Sequence, residues 1–440
     1  MEKETVKTTE TETAASSTEG MKRIVISFLK WILIACIAGI ADGAAGALFH
    51  HALDLAAELR TRYSFLLFAL PAAGLLIVLI YSVSGMKNDK GTNGVILAAR
   101  GKENMSLKTA PLIFTATFLT HLFGGSAGRE GAALQIGASV VSPLGKIFKM
   151  DKSDSSILAM CGMAAGFSAL FGTPAAAAVF AMEVTVVGAA QYTAVIPCFF
   201  AAAIAGVVAS AMGVSPTSFG VTGVPVFGSG SAVTLLQTAV VGIACALASI
   251  LFCKAMHTAG RLYKKYISNE YLRAAAGGVI VIILTLLMGT RDYNGAGTDV
   301  IERAFAGECF PAAFLLKILF TALTLGAGFK GGEIVPSFFV GSTLGCLVGG
   351  LIGLDPSFGA ALGLVGVFCG VTNCPIASII LSAELFGVEG IVFYAAAAAV
   401  SYMLSGYEGL YSEQTFFFAK DRLENKDKYA FPEEEELSEV

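Results

Sequence analysis

Charge is what this sequence has least of. Only 14% of its 440 residues are Asp, Glu, Lys or Arg, whereas soluble domains carry about a quarter. Hydrophobic residues make up 55% of the chain, glycine occurs 50 times and tryptophan once. This balance argues against a soluble globular protein and indicates a polytopic membrane protein. The formal net charge of -4 is too small to suggest a nucleic-acid partner.

Cysteine never occurs in a pattern that binds a metal or forms a redox pair. The nine cysteines are scattered through apolar stretches, and none lies in a CxxC pair or beside a histidine cluster. We therefore interpret them as small buried hydrophobic residues and predict no disulfide, no metal and no cofactor. The sequence also lacks the Ser/His, Asp/Asp and HExxH arrangements of hydrolytic sites, so we do not expect an enzyme.

Both ends of the chain are polar. Residues 1–20 are rich in Thr, Glu, Ser and Lys, and we expect a disordered cytosolic tail over 1–22. The first apolar run begins near Ile24 and is too long for the hydrophobic region of a signal peptide, so we interpret it as a first membrane helix. Residues 421–440 contain four consecutive glutamates and are predicted to form a second, acidic cytosolic tail.

Many of the apolar stretches are too short to cross a bilayer alone. Stretches such as 110–123 and 174–188 fall short of the ~20 residues that a helix needs to span the hydrocarbon core. Helices that stop at membrane depth are tolerated where protein or a water-filled path surrounds them. Such broken helices are typical of transport sites near the middle of the membrane, so the pattern favours an all-α transporter.

An internal duplication divides the apolar part of the chain. Residues 213–230 have no hydrophobic period and much Gly, Ser and Pro, so we predict a linker there between repeats at 23–212 and 231–420. Three motifs recur in order, with offsets of 206, 204 and 201 residues: Gly91 matches Gly297, Gly128 matches Gly332, and Pro174 matches Pro375. Three ordered matches indicate a duplication, and repeats of opposite orientation are a common transporter arrangement.

The motif GGSAGREG places Arg129 and Glu130 side by side before an apolar helix. A charge at the centre of the bilayer costs about 2.5 to 3.5 kcal/mol, so such residues pair, face a cavity or take part in transport. The flanking Gly128 and Gly131 let the backbone approach a ligand, and the N–H groups at the helix start suit an anion. Glu130 itself could occupy the anion site and leave it on taking up a proton. A local ion pair or a helix cap is the alternative.

Two further glycine-flanked helix starts belong to the same predicted site. Glu333 lies in GGEIVP, the second-repeat counterpart of the first motif. Thr92 and Asn93 follow Gly91, where either could serve as an N-cap or as a hydrogen-bond donor. Three helix starts directed at one point would form an anion cage with little fixed positive charge, which suits release as well as binding.

We interpret the other charged and titratable residues of the apolar stretches as structural. Glu183 and Glu384 occupy equivalent positions of the two repeats near helix ends. We expect them to hold the fold or a dimer together rather than to carry protons. Lys317 is expected to pair or to extend its amine toward the membrane surface. His50 and His51 are expected at the membrane interface.

Four segments in order resemble the CLC family of chloride channels and transporters: GSAGREG, TPAAAAVFAME, GGEIVP and the late GLYS around Tyr411. The resemblance covers about residues 24–420. It implies a fold of inverted repeats with many tilted and broken helices, assembled as a homodimer with both termini in the cytoplasm. It also implies that Glu130 is the external gating glutamate and that Tyr411 lies at the inner side of the anion site. The resemblance and the helix starts together predict the anion-binding residues Thr92, Asn93, Gly128, Arg129, Gly131, Ile334, Val335 and Tyr411.

Departures from the chloride-handling pattern point to the fluoride branch of the family. Chloride-handling members carry GSGIP where this chain has GTNGV at 91–95, and GIFAP where it has GEIVP at 332–336. A glutamate at Glu333 resembles the bacterial fluoride exporters. Val184 stands where chloride/proton exchangers have a second, internal glutamate, so we interpret Glu333 as a second residue for gating and proton coupling, beside Glu130.

The sequence thus predicts a fluoride/proton antiporter of a bacterial inner membrane, which expels fluoride by inward proton movement. Its partners would be fluoride, protons, the lipid bilayer and a second copy of the chain. Asn93 ranks ahead of Thr92 as an anion ligand because its amide donates along a fixed direction. A chloride/proton exchanger or chloride channel of the same fold is the alternative within the family. An intramembrane enzyme or a structural membrane protein is the alternative outside it.

Overall fold

The computed structural model describes the backbone of residues 2–420 and the side chains from residue 20 onward. This part of the chain contains sixteen α-helices, two short 3-10 helices and one pair of parallel strands. The first eight helices are α1 Glu2–Arg62, α2 Leu70–Val83, α3 Thr92–Ala99, α4 Thr109–Leu122, α5 Glu130–Ile147, α6 Lys152–Phe171, α7 Pro174–Glu183 and α8 Val195–Ala211. The second eight are α9 Ser231–Tyr266, α10 Glu270–Met288, α11 Thr298–Phe305, α12 Ala313–Gly326, α13 Ile334–Leu351, α14 Pro356–Thr372, α15 Pro375–Phe386 and α16 Ile391–Leu404. The 3-10 helices are Ser64–Ala69 and Tyr192–Ala194, and strand β1 (Val186–Val187) pairs with β2 (Thr415–Phe416).

The two sets of eight helices follow the same order, and three consecutive pairs match in length. α3 and α11 have 8 residues each, α4 and α12 have 14, and α5 and α13 have 18. Both α7 and α15 begin with a proline, which suits the first turn of a helix because its missing N–H would be unpaired there anyway. Residues 213–230, between the two sets, hold neither helix nor strand. The predicted all-α fold of two repeats is confirmed.

The helices differ in their ability to cross a membrane. In the part of the chain that the structure describes, seven helical segments are long and apolar enough to span one: Gly20–Arg62, Ser64–Val83, Lys152–Phe171, Tyr192–Ala211, Ser231–Tyr266, Glu270–Met288 and Ile334–Leu351. Six further apolar helices have only 10–17 residues. The chain is therefore a polytopic membrane protein that combines full spans with short helices, as the sequence predicts.

The first helix departs from expectation at its beginning. The backbone is helical from Glu2, whereas the sequence predicts a disordered tail over 1–22. Glu, Lys and Ala are good helix formers, and no proline or glycine precedes Gly20, so the apolar helix can continue backward through this polar segment. The predicted acidic tail at 421–440 lies outside the described residues.

Glycines bring neighbouring helices into backbone contact at equivalent places in the two repeats. A Cβ atom on Gly137 of α5 would lie 2.0 Å from the carbonyl oxygen of Gly162 in α6. A Cβ atom on Gly341 of α13 would lie 2.3 Å from the carbonyl oxygen of Gly363 in α14. Small residues of this kind let membrane helices pack at close range without a driving force from water. The helices that begin at the candidate site are therefore held against rigid neighbours.

Lys317 contributes to the fold from inside α12 rather than from the membrane surface. Its side chain is fully buried, and its amine donates to the carbonyl oxygens of Gly295 at 2.7 Å and Tyr293 at 3.3 Å. The amine also lies 5.2 Å from the ring centroid of Phe339, at cation–π distance. Gly295 in turn donates its N–H to Gly125, so this lysine supports the loop beside the GREG motif.

Candidate anion site

Two glycines join the motif loops of the repeats. Gly128 and Gly332 exchange two backbone hydrogen bonds, each with an N···O distance of 2.7 Å, and form an antiparallel bridge. A reciprocal pair of bonds is what a two-fold axis between the repeats generates. Just beyond the bridge, a Cβ atom on Gly131 would lie only 3.0 Å from the Cα atom of Gly332. The first turns of α5 and α13 therefore meet in the interior with no room for a side chain between them.

Glu130 is the first residue of α5, and its carboxylate lies in this interior, fully buried. Its Oε2 atom accepts the backbone N–H of Arg129 at 3.0 Å, and the backbone N–H of Val335 in α13 also faces the carboxylate. Its Oε1 atom lies 3.4 Å from Nε of Arg129. The carboxylate thus lies against N–H groups from the starts of both α5 and α13, which is the kind of position that suits an anion.

The third helix start reaches the same point. Thr92 is the first residue of α3 and is buried. The Cβ position of Gly131 lies 3.2 Å from Oγ1 of Thr92 and 3.4 Å from Oε2 of Glu333. Gln135, one turn further along α5, directs its Nε2 atom at Thr92 Oγ1 over 3.4 Å and at the Gly131 carbonyl over 3.0 Å. The three helix starts named by the sequence therefore converge.

Asn93 and Thr92 differ in what their side chains contact. Oδ1 of Asn93 accepts the backbone N–H of Glu413 at 3.2 Å, so this amide holds the C-terminal segment that carries Tyr411. Thr92, in contrast, lies beside Gly131 and Gln135. The geometry favours Thr92 over Asn93 as an anion ligand, the reverse of the order ranked from the sequence.

Several buried polar atoms of the cluster have no hydrogen-bond partner among the described residues. They are Oε1 of Glu130, Oε1 of Gln135, Oε2 of Glu333 and the hydroxyl of Tyr411. The Tyr411 hydroxyl lies within electrostatic range of both Glu333 and Glu130. A buried polar group left unpaired costs about 1 to 3 kcal/mol, so their concentration here fits a site that a proton, an anion or water completes.

A basic vestibule leads to Glu333 from one face of the protein. This cavity of about 810 Å³ is lined by Glu333, Glu408 and Asn93, and by four cationic side chains of α9 and α10, which are Lys254, Arg261, Lys264 and Arg273. Clefts lined mainly by one sign of charge concentrate ions of the opposite sign. The vestibule therefore favours the approach of anions to Glu333.

Arg129 contacts α1, a helix that contributes no residue to the vestibule lining. Its Nη1 atom lies 2.9 Å from Nδ1 of His50, and Nε2 of the same ring lies 3.0 Å from Oδ2 of Asp54. His50 is thus partly buried against Arg129 rather than free at the membrane interface. His51, which follows it, contacts the carbonyl oxygen of Met212 at 2.9 Å.

Sequence reasoning missed Gln135, His50 and Asp54 as neighbours of the site. A signal for Gln135 exists, since it is a lone amide among small apolar residues one helical turn after Gly131. His50 and Asp54 form an i, i+4 pair, which predicts that they share a helix face. Nothing in the sequence identifies Arg129 as the residue that this face meets.

A duplicated membrane fold, with a buried carboxylate where helix starts meet and a basic vestibule leading to it, defines an ion-transporting membrane protein. The chain belongs to the voltage-gated chloride channel family, whose sequence profile matches residues 73–406. A curated relative, the "Chloride/fluoride channel protein" of Pseudomonas syringae pv. tomato, is 35% identical over 420 residues, which are 93% of this chain and 90% of that protein.

Solved structures agree with this assignment. The crystal structure of a CLC-type fluoride/proton antiporter matches with a TM-score of 0.84 and 32% identity, covering 88% of this chain and 98% of the other. A slow cyanobacterial Cl-/H+ antiporter matches with a TM-score of 0.73 at 19% identity, covering 85% of this chain and 94% of the other. The second likeness concerns the fold alone.

Proposed function

We propose that this chain is a fluoride/proton antiporter that exports fluoride by using inward proton movement. The observation that carries the proposal is the position of the Glu130 carboxylate beside the backbone N–H groups of Arg129 and Val335, at the starts of α5 and α13. A carboxylate there blocks the anion site while it is charged. Once protonated, it loses the charge that the helix start stabilises, so it can leave and an anion can take its place.

Glu333 supplies the second proton-handling group in this proposal. It lines the vestibule and also approaches Gly131, so it lies between the cavity and the interior where Glu130 is buried. Val184 is buried and apolar. It therefore offers no titratable group at the position where chloride/proton exchangers carry their internal glutamate. A proton moving between Glu130 and the vestibule would therefore use Glu333.

Preference for fluoride follows from the donors around the cluster. Fluoride is the smallest and most strongly hydrated halide, so its site must replace much hydration with short hydrogen bonds. The hydroxyls of Thr92 and Tyr411 and the N–H groups of the helix starts are the available donors, and Gln135 directs its amide at Thr92 Oγ1, which leaves the Thr92 hydroxyl hydrogen free to donate. Arg129 lies 4.0 Å from Asp54 as well as beside Glu130, so a carboxylate stays near this cation when Glu130 is neutral. The names of the Pseudomonas relative and of the matched antiporter, which both include fluoride, support the same substrate.

The proposal includes a multi-pass location in a bacterial inner membrane, with both termini cytoplasmic. Lys30 of α1 forms an ion pair with Asp154 of α6 at 2.6 Å, so the beginning of α1 lies on the face of the α5–α6 connection. Lys146, Lys149 and Lys152 are in or beside that connection. Short loops rich in Lys and Arg remain on the cytoplasmic side, which supports this orientation. A homodimer completes the proposal, on the basis of the family resemblance.

Anion efflux from liposomes tests the substrate and the coupling together. The purified protein is reconstituted with fluoride or chloride inside, and each anion is followed with an ion-selective electrode while external pH is recorded. The proposal expects fluoride efflux in clear preference to chloride, with proton uptake in fixed ratio. Equal rates for the two anions would instead favour the chloride/proton exchanger, and anion flux without proton movement would favour a channel.

A further inference from the structure

A chain of four side chains connects the surface of α1 with the buried carboxylate of Glu130. Asp54 is more than half exposed, and its Oδ2 atom lies 3.0 Å from Nε2 of His50. Nδ1 of His50 lies 2.9 Å from Nη1 of Arg129, and Nε of Arg129 lies 3.4 Å from Oε1 of Glu130. The side chains of His50 and Arg129 are only 15% and 17% exposed, so solvent has limited access to the middle of this chain.

The contacts fix the protonation state of His50. An arginine guanidinium can only donate, so Nδ1 of His50 must accept the hydrogen bond from Arg129. The ring proton is then on Nε2, where it is donated to Asp54. Neutral His50 is therefore the form that this geometry selects, and in that form it holds the guanidinium beside Glu130.

A second proton on the ring would break the arrangement. Both ring nitrogens of a charged histidine are donors, so Nδ1 could no longer accept from Arg129, and two cations would face each other. Oδ1 of Asp54 is already 4.0 Å from Nη1 of Arg129 and could receive the released guanidinium. Glu130 would then lose its only ion-pair partner among the described residues, and its neutral form would be favoured.

We propose that His50 is a positioning residue that makes transport sensitive to pH on the side of the membrane opposite the basic vestibule. When acid on that side protonates His50, Arg129 moves away from Glu130 and the gating carboxylate takes up its proton more readily. This inference rests on the proposed function, because it assumes that Glu130 carries the transported proton. It adds a second protonation, so uptake from that side becomes cooperative.

Other charged groups near the ring are compatible with this role. The groups that face His50 are Asp54 and His51 from its own helix and Arg129 from the loop before α5. His121 of α4 faces Arg129 but is itself fixed by a hydrogen bond to the carbonyl oxygen of Thr117 at 3.0 Å. Asp54 stabilises a charged ring, whereas Arg129 and His51 oppose it.

The pH dependence of fluoride efflux tests the role of His50. Right-side-out vesicles from a bacterium without its own fluoride exporter carry the wild-type or a variant protein, with fluoride and strong buffer inside. External pH is lowered from about 8 to about 5, across the range where histidine titrates. Vesicles without the protein correct for leakage. Rates of each variant are normalised to that variant's own value at pH 8.

His50→Gln keeps an acceptor for Arg129 but cannot take up a proton. Over this range, the normalised rate of fluoride efflux is expected to rise about fivefold more in the wild type than in His50→Gln. A factor of this size corresponds to the loss of one partly exposed ion pair. His51→Gln is the matched control, since this neighbouring ring contacts Met212 instead, and it should follow the wild type. Asp54→Asn should move the rise to lower external pH, because it removes the carboxylate that stabilises a charged His50.

The outcomes separate this inference from the proposed function. A His50→Gln profile as steep as that of the wild type, together with an unshifted Asp54→Asn profile, would overturn the role of His50. It would leave the proposed function standing as long as fluoride efflux remains proton-driven. Absence of proton-driven fluoride efflux in the wild type would overturn the proposed function and the inference with it.

Discussion

Glu183 and Glu384 cap each other's helices across the two repeats. Glu183 ends α7, and its carboxylate accepts the N–H groups of Ile376 and Ala377 in the first turn of α15, at 3.1 and 2.8 Å. Glu384, in α15, accepts two N–H groups in the first turn of α7 at 3.0 and 2.8 Å. Each helix thus satisfies donors that the other leaves unpaired at its start. The pair joins the repeats, in agreement with the structural role expected for both glutamates.

Removal of either cap should lower stability by a similar amount. Glu183→Ala and Glu384→Ala each delete two charge-assisted hydrogen bonds at a helix start, so we expect each to cost about 1 to 2 kcal/mol. Proton coupling should survive in the protein that remains folded, because neither carboxylate belongs to the anion site. Thermal unfolding in detergent and fluoride-driven proton uptake measure the two effects. The exposed Glu389→Ala is the control. Loss of coupling without loss of stability would contradict a capping role.

Substitution of Glu130 by a residue that cannot titrate should abolish proton transport. Glu130→Gln has nearly the same size but cannot titrate, so fluoride-driven proton uptake should be abolished. Fluoride flux should also fall, because a neutral amide does not alternate between charged and protonated states. A pH electrode and a fluoride electrode on the same liposomes measure both quantities. Glu103→Gln, at a surface ion pair with Lys90, should behave as wild type. Retained proton coupling in Glu130→Gln would rule out the gating assignment.

Glu333 should affect coupling more than folding. Glu333→Ala deletes the carboxylate between the vestibule and Gly131, so the ratio of protons to fluoride should fall while the protein still assembles. Size-exclusion chromatography reports assembly, and paired electrode recordings report the ratio. Glu408→Gln changes the other vestibule glutamate, which pairs with Lys254 at 3.6 Å, and should leave the ratio unchanged. A wild-type ratio of protons to fluoride in Glu333→Ala would contradict proton handling by Glu333 and would favour a structural role.

The basic vestibule should raise the transport rate mainly at low salt. The double substitution Arg261→Gln and Lys264→Gln removes two of its four cationic side chains, so fluoride flux should fall several-fold at low ionic strength. The difference should shrink near 1 M salt, where the Debye length is about 3 Å. Initial rates at a series of inert salt concentrations measure this dependence. Arg62→Gln, at the far end of α1, is the control. A defect that is independent of salt would point to altered packing instead.

Gly137 and Gly145 lie on the same helix but should tolerate alanine differently. A Cβ atom on Gly137 would lie 2.0 Å from the Gly162 carbonyl oxygen, whereas one on Gly145 would meet only side-chain atoms at 3.7 Å or more. Gly137→Ala should therefore destabilise the protein by about 1 to 3 kcal/mol or prevent its assembly. Gly145→Ala should be neutral or slightly stabilising, because alanine favours helix. Comparable melting temperatures for the two variants would argue against backbone contact at Gly137.

Sequence patterns were sufficient for the fold and for the convergence of the three helix starts. The offsets of the matching motifs gave the duplication, and the glycines around Glu130 gave the helix start, because both are properties of the local sequence. The geometry favours Thr92 over Asn93, whereas the chemistry of the side chains alone favours Asn93. Successive residues on a helix point about 100° apart, so only the packing of α3 decides which one faces Gly131. The residue opposite Arg129, which is His50, likewise depends on how α1 crosses α5.

The backbone contacts at Gly137 and Gly341 also limit how the helices of each repeat can move during transport. Helix α5 touches α6, and α13 touches α14, through carbonyl oxygens and Cα atoms, so neither pair has free volume in which to slide. A rocking motion of one repeat against the other would instead have to break the Gly128–Gly332 bridge. Movement of side chains within a fixed helical backbone is the arrangement that remains. In the proposed transport cycle, a swing of the Glu130 side chain within such a fixed backbone would alternate access between the two faces.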